Sequence, residues 1–301
     1  MQMKKVSIII VTYNSEKDIY DCVNSIKVHA DIPLDDIELI VVDNNSLAPE
    51  PMFKKLTELW GPSVVCIENT HNGGYGQGNN VGIRHSTSPI IMIMNPDVRL
   101  FQPVFQKVLA SFKKDNRKAI IGFTQRLRDG RIGRSTSWTS RIHPYIAEPL
   151  RFLTGKLNIY IDKYMYVCGA CFFIRKEMFE KVGMFDENIF MYGEENDIHI
   201  RLMKVPNTRM GYLRYLSYYH MHDETSDFAK ADYMWMEKNL KTLLYMADRD
   251  SIPREKIIDW EIKRNNISVI KERVKYLLTC GKNADRLHYY EGWTEILKSR
   301  I

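Results

Sequence analysis

No stretch of this 301-residue chain approaches the roughly 18 consecutive apolar residues that a membrane-spanning helix requires, so any membrane contact is expected to be peripheral. Cysteine is sparse: Cys22, Cys66, Cys168, Cys171 and Cys280 are five in all, an odd number and widely scattered. Cys168 and Cys171 have C-x-x-C spacing, but no second pair completes a zinc site. The Phe-Phe-Ile that follows reads instead as a buried strand, and the thiols are expected to be reduced and buried, as in a cytosolic protein. No leader pattern opens the chain, since Met1 to Lys5 run directly into an apolar strand, so a cytoplasmic location is expected. Charge of one sign is also in short supply. A net +6 and a pI near 8.9 suit an anionic ligand or an anionic membrane surface and are too weak to argue for nucleic acid. Repeats and low-complexity tracts are absent. What remains is an ordinary globular composition, 45% apolar and 27% charged, with enough chain for one large domain or one and a half.

The organising stretch is Ile90 to Val98, Ile-Ile-Met-Ile-Met-Asn-Pro-Asp-Val. Five apolar residues read as a strand buried on both faces, and Pro96 halts it because proline lacks the ladder donor. Asp97 is thereby presented at the strand's carboxyl end, the edge where open α/β sheets place their ligands. Either Asn95-Pro96-Asp97 makes only a turn, or Asp97 holds a divalent cation there. Upstream, Val6–Val11, Ile37–Val42 and Val64–Ile67 are short, β-branched strands separated by helical periodicity. This β-α-β-α-β-α-β order predicts an α/β fold with a mostly parallel sheet flanked by helices. Thr12-Tyr13-Asn14 and Asp43-Asn44-Asn45-Ser46 then fall at the same edge as Asp97.

The glycine-rich run Asn72–Asn80 lacks the G-x-G-x-x-G spacing of a dinucleotide fingerprint and follows the third strand rather than the first. It reads either as a loop whose N–H groups approach a phosphate or as a flexible turn. Arg126 to Tyr160 reads as a long basic loop or subdomain and a candidate lid, its Arg126, Arg128, Arg131, Arg134 and Arg141 facing solvent or an anionic ligand. Tyr166–Arg175 is a strand interrupted at Gly169-Ala170, where a ligand or backbone comes close. Glu194, Glu195 and Asp197 open a helix whose dipole favours them, and Phe185, Phe190 and Tyr192 upstream are positioned to desolvate a carboxylate and raise its pKa. His220 and His222 alternate on a strand and share a face. From Phe228 the pattern becomes helical, and residues 251–301 hold 11 Lys/Arg against 7 Asp/Glu, a local +4, either a solvated face or a patch for an anionic bilayer.

Taken together, Val6–Asn14, Ile40–Ser46, Asn72-x-Gly74 with Gly78-Asn-Asn-x-Gly82, Asn95-Pro-Asp-Val98 and Phe185-Asp-Glu with Phe190-Met-Tyr-Gly-Glu-Glu-x-Asp197 resemble the inverting glycosyltransferases of family 2, rhamnosyltransferase-like branch. The resemblance covers roughly Lys5 to Ser226. It implies the GT-A fold, a Rossmann-like sheet at residues 1–227 (a nucleotide-binding half at 1–100, an acceptor-side half at 101–227) and a helical C-terminal extension at 228–301. It further implies a UDP- or dTDP-sugar donor, dTDP-rhamnose among the candidates, a saccharide or lipid-linked saccharide acceptor, Mg²⁺ or Mn²⁺, and a role in bacterial surface polysaccharide synthesis, with peripheral contact at the inner membrane. By position, Thr12, Tyr13, Asn14, Asp43, Asn45, Asn72, Gly74, Asn79 and Asn95 are the expected donor-binding residues, Tyr13 stacking on the nucleobase and Asp43 bonding it. Asp97 and His220 are the expected metal ligands; Gly169, Ala170, Tyr192 and Asp197 are expected on the acceptor side. Glu195 stands where the family usually has an aspartate general base, so Glu195, or Glu194 beside it, is the expected base. Two rival readings remain, a catalytically inactive nucleotide-sugar-binding or assembly subunit and a nucleotide-cofactor enzyme of another class.

Overall fold

The computed structural model describes residues 4–221, 232–282 and 284–300. Its first half contains β1 (Val6–Thr12), α1 (Glu16–His29), β2 (Ile37–Asp43), α2 (Glu50–Trp60), β3 (Val65–Glu68), α3 (Gly74–His85) and β4 (Ile90–Met94). Then follow β5 (Val98–Leu100), α4 (Phe105–Lys114), β6 (Lys118–Leu127), β7 (Thr136–Trp138), α5 (Pro144–Lys156), β8 (Met165–Val167), β9 (Cys171–Arg175), α6 (Lys176–Lys181), α7 (Glu194–Met203) and β10 (Arg209–His220). Three helices end the chain, α8 (Met234–Arg249), α9 (Arg254–Leu278) and α10 (Ala284–Lys298).

Eight strands form one sheet in the order β3-β2-β1-β4-β9-β6-β10-β5. β1 runs parallel to β2 and β4, and β2 parallel to β3. β9 is antiparallel between β4 and β6, β6 and β10 pair in parallel, and β5 is antiparallel on β10. The chain moves outward from β1 to β3 and then crosses back to β4 on β1's other side. That reversal opens a crevice at the carboxyl ends of β1 and β4, where α/β sheets bind ligands. Alternation along β1 feeds two cores. Ile8 and Ile10 pack with Ile19, Val23, Phe105 and Val108 on one face. Ile9 packs with Ile83, Ile198 and Leu202 on the other.

Three local expectations are corrected. The glycine-rich run is helical from Gly74, so the helix starts inside the run rather than behind it. A Cβ on Gly78 would lie 2.8 Å from Val11 Cγ1, and one on Gly82 would lie 2.5 Å from Ile9 Cγ2. The glycines thus let α3 press on β1, and burial outweighs their poor helix propensity. Tyr166–Arg175 is not one interrupted strand. β8 pairs with β7 in a separate two-stranded sheet, and only β9 joins the main one. Residues 126–160 do not form a long loop, since they contain the end of β6, β7 and α5. Of the cysteines, all free, Cys22 and Cys171 are buried, but Cys280 is exposed.

Two compact units emerge, one formed by the described residues of Met1–Thr139 and Asn158–Asp223, the other by those of Ser140–Leu157 and Glu224–Ile301. The first contains the sheet. In the second, Leu240, Trp293 and Leu297 form a small core, and Asn265 of α9 donates to Thr294 Oγ1 of α10 at 2.7 Å. Arg264 of α9 is 3.1 Å from Glu148 of α5, so α5 belongs to the helical unit.

Candidate functional site

At the β1–β2 edge, Thr12 and Asp43 are register partners. Asp43 is fully buried. Its Oδ1 accepts from Thr12 Oγ1 at 3.0 Å and from Ser46 Oγ at 2.7 Å, and its Oδ2 accepts from Ser46 N at 2.7 Å. Ser46 Oγ in turn accepts from Asn14 N at 2.8 Å. Asp43 therefore braces the two strand-end loops instead of presenting its oxygens. The loops leave Tyr13 53% exposed, and Asn14 and Asn45, also exposed, take left-handed φ values of 51° and 67°, a conformation asparagine tolerates better than most residues.

Behind these loops lies an amide chain that the sequence reading missed. Asn44 Nδ2 donates to Gly74 O at 2.9 Å and Asn72 Oδ1 at 3.2 Å. Asn69 Nδ2 donates to Asn44 Oδ1 at 2.8 Å and Gln77 Oε1 at 2.6 Å. Gly74 N donates to Asn72 Oδ1 at 3.0 Å, so Asn72 and Gly74 hold the start of α3. Gly74 has φ +89°, and a Cβ there would lie 1.9 Å from Phe190 O. Tyr75 N donates to that same carbonyl at 3.0 Å, which couples α3 to the loop ahead of α7. Asn80 strengthens the coupling by accepting from Phe185 N at 3.1 Å and donating to Phe185 O at 2.9 Å. Asn79 is buried within α3 and donates to Tyr75 O. The available signal was the density of asparagines after a strand end, but which amide turns inward depends on chains far apart in sequence.

At the end of β4, Asn95 N donates to Ala170 O at 2.8 Å, and Met221 N donates to Asp97 O at 2.9 Å. Because Val98 and His220 are antiparallel register partners, the imidazole arrives beside the turn. His220 Nε2 is 3.2 Å from Asp97 Oδ2, and both side chains retain partial exposure. Among the described residues no group of three His, Cys, Asp or Glu side chains converges as a closed metal site. One carboxylate and one imidazole, at a partly open strand end, fit a cation that takes its remaining ligands from a bound diphosphate. His222 lies outside the described residues.

α7 supplies the acidic pair. Glu194 is 3% exposed, and its Oε1 has no hydrogen-bond partner among the described residues. Burial, reinforced by the neighbouring Glu195 charge, pushes its carboxyl up to about 8. Burial also raises Glu195, against the lowering effects of the Gly169 N–H and the Arg134 guanidinium. Glu195 Oε1 accepts from Gly169 N at 2.9 Å, and a Cβ on Gly169 would fall 2.1 Å from that oxygen. Glycine is thus required for the carboxylate to sit there. Through Gly169 and Ala170, Glu195 is tied to Asn95 and the Asp97 turn. The Tyr75 hydroxyl is buried without a hydrogen-bond partner among the described residues, and burial, then Glu195 and Glu194, raise it well above its ordinary value.

Other predicted members fall differently. Asp197 is fully buried and paired with Arg201 Nη2 at 2.6 Å, so it anchors α7. Tyr192 has φ 71° and precedes Gly193 at φ 103°, together forming the bend into α7. Phe185 is buried against Tyr75, whereas Phe190 is half exposed. Of the basic segment, Arg131 pairs with Asp129 and Arg141 with Asp250. Arg134 lowers the Glu195 carboxyl against the effect of burial.

Comparison with known proteins adds a common frame. Residues 7–183 match the family described as Glycosyl transferase family 2. The low-salt glycan biosynthesis hexosyltransferase Agl10 of Haloferax volcanii is 28% identical over 194 residues, 63% of this chain and 58% of that protein. The chain therefore spans little more than half of that relative's length. Mannosyltransferase PcManGT from Pyrobaculum calidifontis, solved with GDP-Man and Mn²⁺, is similar at a TM-score of 0.60 and 16% identity, covering 99% of this chain and 85% of that one. S. aureus TarS 1-349, solved with UDP-GlcNAc, gives 0.56 and 17%, covering 86% and 71%. At these identities the two structures attest to the fold.

Proposed function

The chain belongs to glycosyl transferase family 2, and on that premise we propose that it is an inverting GT-A transferase. It moves a sugar from a nucleoside-diphosphate donor, UDP- or dTDP-linked and with rhamnose a candidate sugar, to a hydroxyl of a saccharide or lipid-linked saccharide acceptor in surface polysaccharide synthesis. The observation that carries the reading is the tie between two chemically different ends of one crevice. Glu195 Oε1 takes the Gly169 N–H at 2.9 Å, and Ala170 O takes the Asn95 N–H at 2.8 Å beside the Asp97 turn. In-line displacement needs such a fixed pair, a base at the acceptor and charge stabilisation at the leaving group.

Tyr13 offers an exposed ring for stacking on the nucleobase, while Asp43 and the Asn44–Asn69 amides keep the surrounding loops rigid. Asp97 and His220 would hold a divalent cation, Mg²⁺ or Mn²⁺, which would supply positive charge for the leaving diphosphate. As the acceptor oxygen bonds to the anomeric carbon and the bond to diphosphate breaks on the opposite face, the acceptor proton passes to Glu195, on the oxygen not engaged by Gly169. Glu194 keeps its own proton at neutral pH and so lowers the repulsion that a second buried anion would impose. The extra methylene of glutamate relative to the usual aspartate is taken up by the approach permitted at Gly169.

Thermal denaturation with UDP, dTDP, GDP, ADP or NAD, each in Mn²⁺, Mg²⁺ or EDTA, tests the reading. A nucleotide at a hundred times its Kd adds about 2.7 kcal/mol. Stabilisation by UDP or dTDP that EDTA or Asp97→Ala removes is the expected result. Stabilisation by NAD alone, or by none of the five, overturns the reading.

A further inference from the structure

A surface helix normally turns its apolar side chains inward. α5 does the reverse. Ala147 and Thr154 are its buried side, whereas Tyr145, Ile146, Phe152, Leu153 and the capping Leu157 are 57, 56, 70, 49 and 52% exposed. Their spacing places Tyr145 and Phe152 in one row along the helix and Ile146, Leu153 and Leu157 in the adjacent row. The last turns of α9 repeat the pattern in the same unit, with Ile270, Val274, Leu277 and Leu278 at 62, 51, 76 and 79% exposure. Contiguous rows of this kind differ from the single exposed apolar residues common on protein surfaces.

The neighbouring charges indicate what covers them. Most cations of this unit are matched: Arg151 and Arg264 with Glu148, Arg273 with Glu291, Lys275 with Glu272. Lys156 on the exposed face of α5, and Lys271 and Lys282 at the end of α9, are exposed and have no ion pair among the described residues. A second copy docked on either face would bring its own unmatched lysines against these. An anionic interface would neutralise them while accepting the apolar rows. No helix among the described residues is long and apolar enough to cross a membrane.

We propose that the exposed face of α5, assisted by the end of α9, docks the protein on an anionic lipid surface, with Tyr145, Phe152 and Leu153 inserted and Lys156 at the headgroups. This deepens the proposed function and rests on it, since a lipid-linked acceptor would be met at that surface. The sequence directed attention to the basic C-terminal helices and left α5 inside a supposed loop. The helix itself carries the longer apolar face.

The test is sedimentation of the full chain with phosphatidylcholine vesicles, alone or containing about one-third phosphatidylglycerol, alongside nucleotide thermal shifts and light scattering on the same samples. Wild type should sediment with the anionic vesicles and stay in solution with the neutral ones. Phe152→Glu combined with Leu153→Glu should cut sedimentation about tenfold or more, and Lys156→Glu should cut it less. Val28→Glu, at an exposed apolar site on α1, should leave it unchanged. All four proteins should keep the same melting temperature and nucleotide shift. Equal sedimentation of wild type and the double variant, or none by wild type, overturns the proposal. A wild-type dimer split by the double variant, without vesicle binding, assigns the face to a second copy and overturns it too. Vesicle binding without any nucleotide shift would retain the lipid surface and remove the glycosyl-transfer reading beneath it.

Discussion

At the ends of β1 and β2, Asp43 and Asn44 are buried and their side-chain oxygens and amide are engaged by Thr12, Ser46, Asn69, Asn72 and Gly74. At the start of α7, Glu194 is buried to a similar degree, yet its Oε1 has no hydrogen-bond partner among the described residues and burial pushes its carboxyl up to about 8. The two regions lie on one sheet and treat burial oppositely. A satisfied polar network in low dielectric is rigid and specifies one arrangement of loops. A buried carboxylate short of donors is costly to ionise, and sites of this kind are where reactive groups are found. One region is therefore a frame and the other the pair proposed to react, and each should fail in its own way.

The largest effect should come from Glu195→Gln. Loss of a general base costs about 10²–10⁴-fold in rate, and a transfer assay should show that loss while the nucleotide thermal shift is unchanged. Full activity in this variant would break the comparison by making the acidic pair dispensable. Gly169→Ala comes next, because its Cβ would collide with Glu195 Oε1. Displacement of a reacting group by about 1 Å costs on the order of a hundredfold, so kcat should fall to that extent with little change in melting temperature.

On the framed side the loss should appear as stability. Asn44→Ala strands the Asn69 amide and the Gly74 carbonyl and should cost about 2 kcal/mol, lowering Tm by about 6 °C. A variant that melts normally would show the amide chain to be slack.

The smallest effect should be that of Glu194→Gln, visible mainly in its pH dependence. Burial raises this carboxyl from 4.5 to about 8, so between those values the folded protein holds a proton that the unfolded chain has released. Stability then declines as pH rises from 4.5 through 8. Urea denaturation at pH 5, 7 and 9 should show a shallower decline in Glu194→Gln than in wild type. Identical slopes would mean that Glu194 is not the group held protonated.

Much of this was visible in the chain itself. Short β-branched runs made strands because such residues suit a pleated, two-sided core, and Pro96 ended β4 because it cannot donate to a ladder. That places Thr12, Asp43 and Asp97 at carboxyl ends before any contact is known. Asp43 shows the limit: its position was legible, but full burial and engagement by Thr12 and Ser46 were not. The loop reading of residues 126–160 failed for the same reason, since α5 depends on its pairing with α9 more than a hundred residues away. Asp197 is fully buried and pairs with Arg201 one turn further along α7, and Glu148 of α5 pairs with Arg264 of α9.

α3 draws the boundary most sharply. Glycine costs about 1 kcal/mol per residue in a helix relative to alanine, so local preference alone argues for a loop at residues 74–82. Only the approach of Ile9 and Val11 makes the missing Cβ atoms an advantage. Strand identity, the order of the elements and the residue types at the sheet edge were determined by sequence, because side-chain period and proline chemistry act over a few residues. Which carboxylates are satisfied, which are left ionisable and which helix keeps its apolar face in solvent were decided by tertiary structure, because burial and hydrogen bonding depend on segments a hundred residues apart.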